Sequence, residues 1–289
     1  MYTIKSNELT VTIAAKGAEL QSIKHNENNL EYMWNGDAAY WAKRSPVLFP
    51  IVGTLKGDTF VFNGQSYHLS RHGFARDKTF TVTAQGESSI TFSLYSSEDT
   101  LAIYPFAFEL HIIYTVQNDE LTVTYRVKNN SEGNMFFSIG GHPAFKVPLV
   151  NGTTYNDYAL HFNKTESAGR WPISNNGLLE KEALPCLQNT QVLPLSKELF
   201  KKDALVFKHL QSDTVSLLSD KTPHGFTFTF AGFPFLGIWA APGADFVCVE
   251  PWCGIADSVD SDQQLAHKEG IITVASEATF NKSWNVRFF

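Results

Sequence analysis

Phe108-Glu109-Leu110-His111-Ile112-Ile113-Tyr114-Thr115-Val116, then Gln117-Asn118-Asp119-Glu120, then Leu121-Thr122-Val123-Thr124-Tyr125-Arg126-Val127 is the stretch that decides the fold. Both arms are rich in β-branched and aromatic residues, and apolar side chains that recur at every second position line one face of a pleated strand. The stretch predicts a hairpin. Thr59-Phe60-Val61-Phe62 and Tyr67-His68-Leu69 predict a second one, because the intervening Asn63-Gly64 tolerates positive φ at both turn positions.

The same period runs outward through the chain. Further strands are expected at Thr79 to Thr83, Ile90 to Tyr95, Met135 to Ile139, Tyr158 to Phe162, Val215 to Leu218, Phe226 to Phe230, Phe246 to Val249 and Ile271 to Ala275. Helical patterning is confined to Ser97 to Tyr104 and Ser196 to Phe200. Without a regular strand-helix-strand alternation a parallel α/β sheet is excluded, and the expectation is all-β, a large antiparallel sandwich. No linker, low-complexity tract or internal repeat divides the chain, so residues 1–289 are expected to form one domain. Asn151 to Thr190 is the least regular part, with Asn175-Asn176-Gly177 and scattered prolines, and reads as a surface excursion over a pocket.

Composition agrees and narrows the function. Of 289 residues 43% are hydrophobic, and 23 Phe, 10 Tyr and 6 Trp form an aromatic load that favours pleated sheet. Lys and Arg number 23 against 29 Asp and Glu, a net charge of -6 that argues against a general nucleic-acid binder. Cys186, Cys248 and Cys253 have neither zinc spacing nor a disulfide framework, which predicts a reduced chain with no bound metal. The N-terminus lacks the apolar run of a signal peptide, and no segment is long and apolar enough to cross a bilayer. The expectation is a cytoplasmic protein without a membrane partner.

The residues with chemistry fall in five islands. Gly140-Gly141-His142-Pro143-Ala144-Phe145 places an imidazole after paired glycines that end a strand, with Pro143 fixing the backbone beyond it. Val249-Glu250-Pro251-Trp252 places a carboxyl at the close of an apolar strand; burial would raise its pKa and a nearby cation would lower it. Arg71-His72-Gly73-Phe74-Ala75-Arg76 combines planar guanidinium forks, an imidazole and an aromatic ring, a composition suited to gripping a polyhydroxylated ligand. In Lys43-Arg44-Ser45-Pro46, Arg44 is either a second fork into the same pocket or a charge on its rim. In Lys202-Asp203-Ala204 the acid is either a ligand-binding carboxylate or a solvated one. Cys248 and Cys253 bracket Glu250, and nothing nearby marks either as an activated thiolate.

Taken in order, Lys16-Gly17-Ala18-Glu19-Leu20, Arg44-Ser45-Pro46, Arg71 to Arg76, Gly141-His142-Pro143 and Glu250-Pro251-Trp252 resemble the aldose 1-epimerase (galactose mutarotase) family over essentially the full length. The resemblance is to its branch of LacX-type proteins and hexose-6-phosphate mutarotases. It implies a β-supersandwich and a metal-independent, cofactor-free exchange of the α and β anomers of a sugar or sugar phosphate. It further implies His142 as catalytic acid, Glu250 as catalytic base, His72 as the second pocket histidine, Arg44 and Arg76 as substrate-touching arginines and Asp203 as a sugar-binding aspartate. Pro143 after the histidine and the His72-Gly73-Phe74-Ala75-Arg76 run depart from the galactose-specific pattern and leave free and 6-phosphorylated aldohexoses both open. So are a monomer and a homodimer.

Two other readings compete. A glycoside hydrolase needs a second carboxyl facing Glu250, and Asp77, Asp203 and Asp257 lack the context for it. A sugar sensor would keep the pocket without turnover, but a binder has no need of an imidazole and a carboxyl together.

Overall fold

The hairpin around Gln117 to Glu120 forms as the alternation predicts. In the computed structural model, which describes residues 1–289, strands Phe108–Gln117 and Glu120–Asn129 pair from Gln117 opposite Glu120 to Phe108 opposite Asn129. Leu110, Ile112, Tyr114 and Val116 are buried, whereas the residues between them are partly or fully exposed. The Asn63-Gly64 turn also forms, both residues at positive φ (51° and 76°).

That hairpin lies inside a nine-stranded sheet running Thr190–Pro194, Ala159–Glu166, Thr214–Ser219, Thr222–Thr229, Thr279–Phe288, Glu120–Asn129, Phe108–Gln117, Ser89–Tyr95, Thr81–Gln85. A second sheet has Leu205–Lys208, Phe235–Trp239, Phe246–Cys253, Ile139–Gly141 and Val47–Leu48 in order, with Ala144–Lys146 also paired to Phe246–Cys253. Every ladder between these strands is antiparallel. The sheets stack face to face. Phe145 of the second meets Phe226 of the first with ring centroids 4.2 Å apart, and Leu236, Ile238, Val247 and Val249 join Leu110, Val123 and Val286 in a core cluster of 70 residues. The opposite face of the second sheet has its own cluster of nine, Val206, Phe235 and Trp252 among them.

Three local expectations need correction. The glycine pair does not end a strand: the break comes at Ser138, and Gly140 and Gly141 are laddered in Ile139–Gly141. Their lack of a side chain serves close packing instead, since a Cβ on Gly140 would stand 2.6 Å from Trp252 Cδ1 and one on Gly141 2.7 Å from the Tyr125 hydroxyl. Glu250 does not close its strand either; Pro251 sits opposite Leu236, and pairing resumes through Trp252 opposite Gly140 and Cys253 opposite Ile139. Within Asn151 to Thr190, Ala159–Glu166 is an interior strand of the large sheet, and the excursion is residues 167–189, pinned by Gly169–Arg170 against Leu184–Pro185.

Ser97 to Tyr104 is helical over Glu98–Ile103, where Ser97 caps the first turn and Thr100 completes a capping box. Ser196 to Phe200 holds only a 3-10 turn at Lys197–Phe200. No helix is long and apolar enough to cross a membrane.

Candidate active site

On the outer face of the second sheet opens a cleft of about 440 Å³, floored by Val206, Trp239, Glu250 and Trp252 and roofed in part by Ile173, Gly177 and Leu179 of the excursion. Pleat alternation explains the floor: Glu250 and Trp252 lie two apart on one strand and turn to the same side. Gly237 lies opposite Glu250, and a Cβ there would come 2.6 Å from the Trp252 ring, so glycine makes room for the indole that walls the carboxyl.

His142 arrives from the neighbouring strand end, and its Nε2 stands 3.2 Å from Glu250 Oε2. Both side chains are nearly inaccessible, 11% and 2% exposed. Trp41 stacks on the imidazole at 4.8 Å and 28°, and Trp239 meets it edge-on at 5.5 Å. Aromatic walls of this kind exclude water and fix the ring. His142 Nδ1 and Glu250 Oε2 have no hydrogen-bond partner in the protein, and buried polar atoms are nearly always paired. These two await a ligand's donors or acceptors.

His72 is held more tightly. It adopts φ 68°, followed by Gly73 at φ 68°, and Gly73 is required there because a Cβ would stand 2.4 Å from the Phe49 carbonyl oxygen. A buried non-glycine residue in the left-handed region costs about 1–3 kcal/mol and persists where the surroundings over-determine it. His72 N–H donates to the Gly53 carbonyl at 2.9 Å, and Gly53 N–H donates back to His72 Nδ1 at 3.1 Å. A neutral imidazole has one ring proton, so with Nδ1 accepting, the proton is on Nε2. Arg71 Nε–H points at that nitrogen from 3.3 Å, a bond the ring can accept only in its other tautomer, so with Nδ1 already accepting the two N–H groups oppose each other. An acceptor oxygen between them satisfies both.

Arg76 reaches the cleft with Nη2 donating to the Arg71 carbonyl at 2.8 Å, and Lys201 adds a third cation at the mouth. Asp203 lies on the wall at φ 89°; its Oδ1 accepts from Ala204 N–H at 2.7 Å and stands 4.0 Å from Arg71 Nη2. Of the residues expected in the pocket, His72, Arg76, His142, Asp203 and Glu250 all line it.

Arg44 does not. Its guanidinium turns away, donating to the Gln21 carbonyl and lying against Gly36. What Arg44 contributes is backbone: its carbonyl accepts from Ala144 N–H at 2.8 Å, two residues after His142, and its own N–H, with that of Ser45, donates to the Glu19 carboxylate. The Lys16 to Leu20 motif is thus a brace behind the pocket; Gly17 at φ 69° backs onto the Arg76 carbonyl, which a Cβ would approach to 2.7 Å. An arginine beside an apolar run carries no sequence signal for which way it points.

Two contributors escaped the sequence reading, and a third was named only as part of its island. Arg71 was in view within its island but had no mark distinguishing it from Arg76. Trp41 and Trp239 stand in none of the islands, since only tertiary packing sets them against His142.

Electrostatics follow burial. Burial pushes the Glu250 carboxyl well above its ordinary range, and the Arg71 charge opposes this. Burial pulls His142 down to about 3. It also takes His72 well below 6.5, with His142, Arg71 and Arg76 adding to the shift. The cleft therefore keeps both histidines neutral and one dissociable proton on the His142–Glu250 pair, a set able to give a proton to one oxygen and accept one from another. Cys248 is the only cysteine close to this pair, and its Sγ with one donor atom each of His142 and Glu250 falls within 4.8 Å.

A family model described as aldose 1-epimerase matches residues 1–269. The LacX proteins of Lactococcus lactis subsp. lactis, plasmid and chromosomal, are 35% identical over 292 residues, covering 98% of this chain and 97% of theirs. A galactose mutarotase related enzyme from Lactobacillus acidophilus is 36% identical with a TM-score of 0.95, covering 100% of this chain and 97% of that one. A galactose mutarotase-like protein from Lactobacillus casei is 30% identical with a TM-score of 0.94 over the whole of both chains.

Proposed function

Because this chain belongs to the aldose 1-epimerase family of sugar isomerases, we propose that its cleft interconverts the α and β anomers of an aldohexose by acid/base ring opening and closure. Opening the ring takes a proton from the anomeric hydroxyl and delivers one to the ring oxygen; rotation about the bond to the carbonyl carbon and reclosure present the other face. Glu250 is the base and His142 the acid. The observation that carries this reading is the 3.2 Å approach of His142 Nε2 to Glu250 Oε2 at the floor of the cleft, walled by indoles. In the empty cleft burial leaves the proton on Glu250; the Arg71 charge favours the carboxylate, and the Trp41 face favours a cationic imidazole. Substrate binding moves one proton across the pair, and the return step restores it, so the enzyme ends each turnover as it began.

His72 Nε2–H and Arg71 hold a sugar oxygen between them, and Arg76 and Asp203 bind the ring's other substituents. A hydrolase is disfavoured because the group facing Glu250 is an imidazole, while Asp257 is engaged by Lys268 and Asp77 by Lys43. Arg71, Arg76 and Lys201 against the single carboxylate of Asp203 favour a sugar with an anionic substituent, the 6-phosphorylated form. The test is NMR anomer exchange with glucose and galactose, free and 6-phosphorylated. Catalysis of at least one of them, lost in His142→Asn with the melting temperature kept, is expected; an unchanged exchange rate in that variant would refute the assignment.

A further inference from the structure

Below the His142–Glu250 pair lies a thiol that sugar chemistry does not use. Cys248 and Glu250 are two apart on the strand Phe246–Cys253, so the pleat turns both to one side. A His142 ring nitrogen, Cys248 Sγ and a Glu250 oxygen all lie within 4.8 Å of one another. The three residues are at most 8% exposed, and His142 Nδ1 and Glu250 Oε2 lack partners. One nitrogen, one sulfur and one oxygen donor, with the cleft on the open side, is a ligand set suited to a thiophilic divalent cation that keeps a fourth position for water.

We propose that His142, Cys248 and Glu250 form an inhibitory binding site for Zn²⁺ or Cd²⁺. Zinc bonds of roughly 2.0–2.3 Å place tetrahedral ligands about 3.3–3.8 Å apart. The His142–Glu250 contact at 3.2 Å is already close to that spacing, and the widest separation, within 4.8 Å, exceeds its upper end by about 1 Å at most. On binding, the thiol proton and the Glu250 carboxyl proton pass to solvent, and the metal gains the thiolate, the imidazole and the carboxylate. Both groups assigned to proton transfer are then occupied, so metal and sugar exclude each other. The inhibition rests on the proposed function; the binding does not.

Titrating the full chain with CdCl₂ reads the site directly, through the ultraviolet thiolate-to-cadmium charge-transfer band. One saturable equivalent is expected, abolished in Cys248→Ala and kept in Cys186→Ala and Cys253→Ala; Cys248→Ser replaces the alanine variant if that one melts early. In polarimetry Zn²⁺ should inhibit competitively with sugar, reversibly on adding EDTA, and Cys248→Ser should need about tenfold more metal or above. A band that survives both Cys248 variants, or metal that accelerates exchange, overturns the proposal. If the free protein turns over no sugar, the cadmium band still decides the site, so the two readings fail separately.

Discussion

The two sheets share one kind of ladder and differ in what covers them. In the hairpin of the nine-stranded sheet, buried and exposed positions alternate, as in Phe108–Gln117; in the six-stranded sheet, Phe246–Cys253 is buried at all eight positions. A sheet wet on one face keeps its polar side chains hydrated and their chemistry ordinary. One covered on both faces desolvates whatever polar groups it holds, and Glu250 and His142 are displaced in opposite directions for that reason. The site is therefore a property of the second sheet's outer cover, the indoles and the excursion of residues 167–189, as much as of its strands.

The sharpest way to break this contrast is on the covered face. Glu250→Gln should lower the exchange rate by about 10²–10⁴-fold, some 3–5 kcal/mol of barrier, while Thr124→Ala on the wet face, whose hydroxyl meets only Ser283, should leave the rate unchanged; stopped polarimetry on both compares them. Next come the two arginines. Arg71→Ala removes a charged donor facing the cleft and should raise KM by about tenfold or more, whereas Arg44→Ala, with its guanidinium turned to Gln21, should leave KM as it is. A parallel rise in both would return Arg44 to the pocket.

Packing gives the next effect. Gly140→Ala forces a Cβ to 2.6 Å from Trp252 and should destabilise by about 1–3 kcal/mol, against about 0.5 kcal/mol or less for Thr124→Ala, read by urea denaturation.

The smallest is a tilt with pH. Folded Glu250 keeps its proton well above the ordinary 4.5, so above that pH the folded state binds more protons than the unfolded one and stability falls as pH rises, by at most about 1.4 kcal/mol per unit. Glu250→Gln removes this, and its melting temperature minus that of the wild type should widen as pH climbs from 4.5. His142 acts oppositely: folded at about 3 against 6.5 unfolded, it contributes stability fully above 6.5 that is lost as pH falls towards 3. A difference between Glu250→Gln and wild type that stays flat across this range would mean Glu250 is ionised when folded.

The parts legible in the sequence were those written in a local period. Leu110 to Val127 alternates because each residue's face is set by its neighbours two positions away, and Asn63-Gly64 announces its turn by the φ its residues tolerate. The covered sheet was harder: with both faces apolar the alternation vanishes, so the ends of Ile139–Gly141 and Phe246–Cys253 were misplaced and the glycines were read as a stop instead of as clearance for Trp252 and Tyr125. His72, Arg76, Asp203, His142 and Glu250, which line the cleft, drew notice because reactive residue types stood in short motifs, and that says nothing of direction. Arg44 shows the cost.

The sequence by itself determined the all-β class, the hairpins and the residue types available for proton transfer, because these depend on chain-local sterics and polarity. Tertiary structure alone decided that Arg44 faces away, that Trp41 lies on His142, that Gly53 N–H meets His72 Nδ1 and that Cys248 sits with the pair. Each of these turns on atoms distant in the chain meeting at about 3–5 Å, where hydrogen bonding and desolvation are felt.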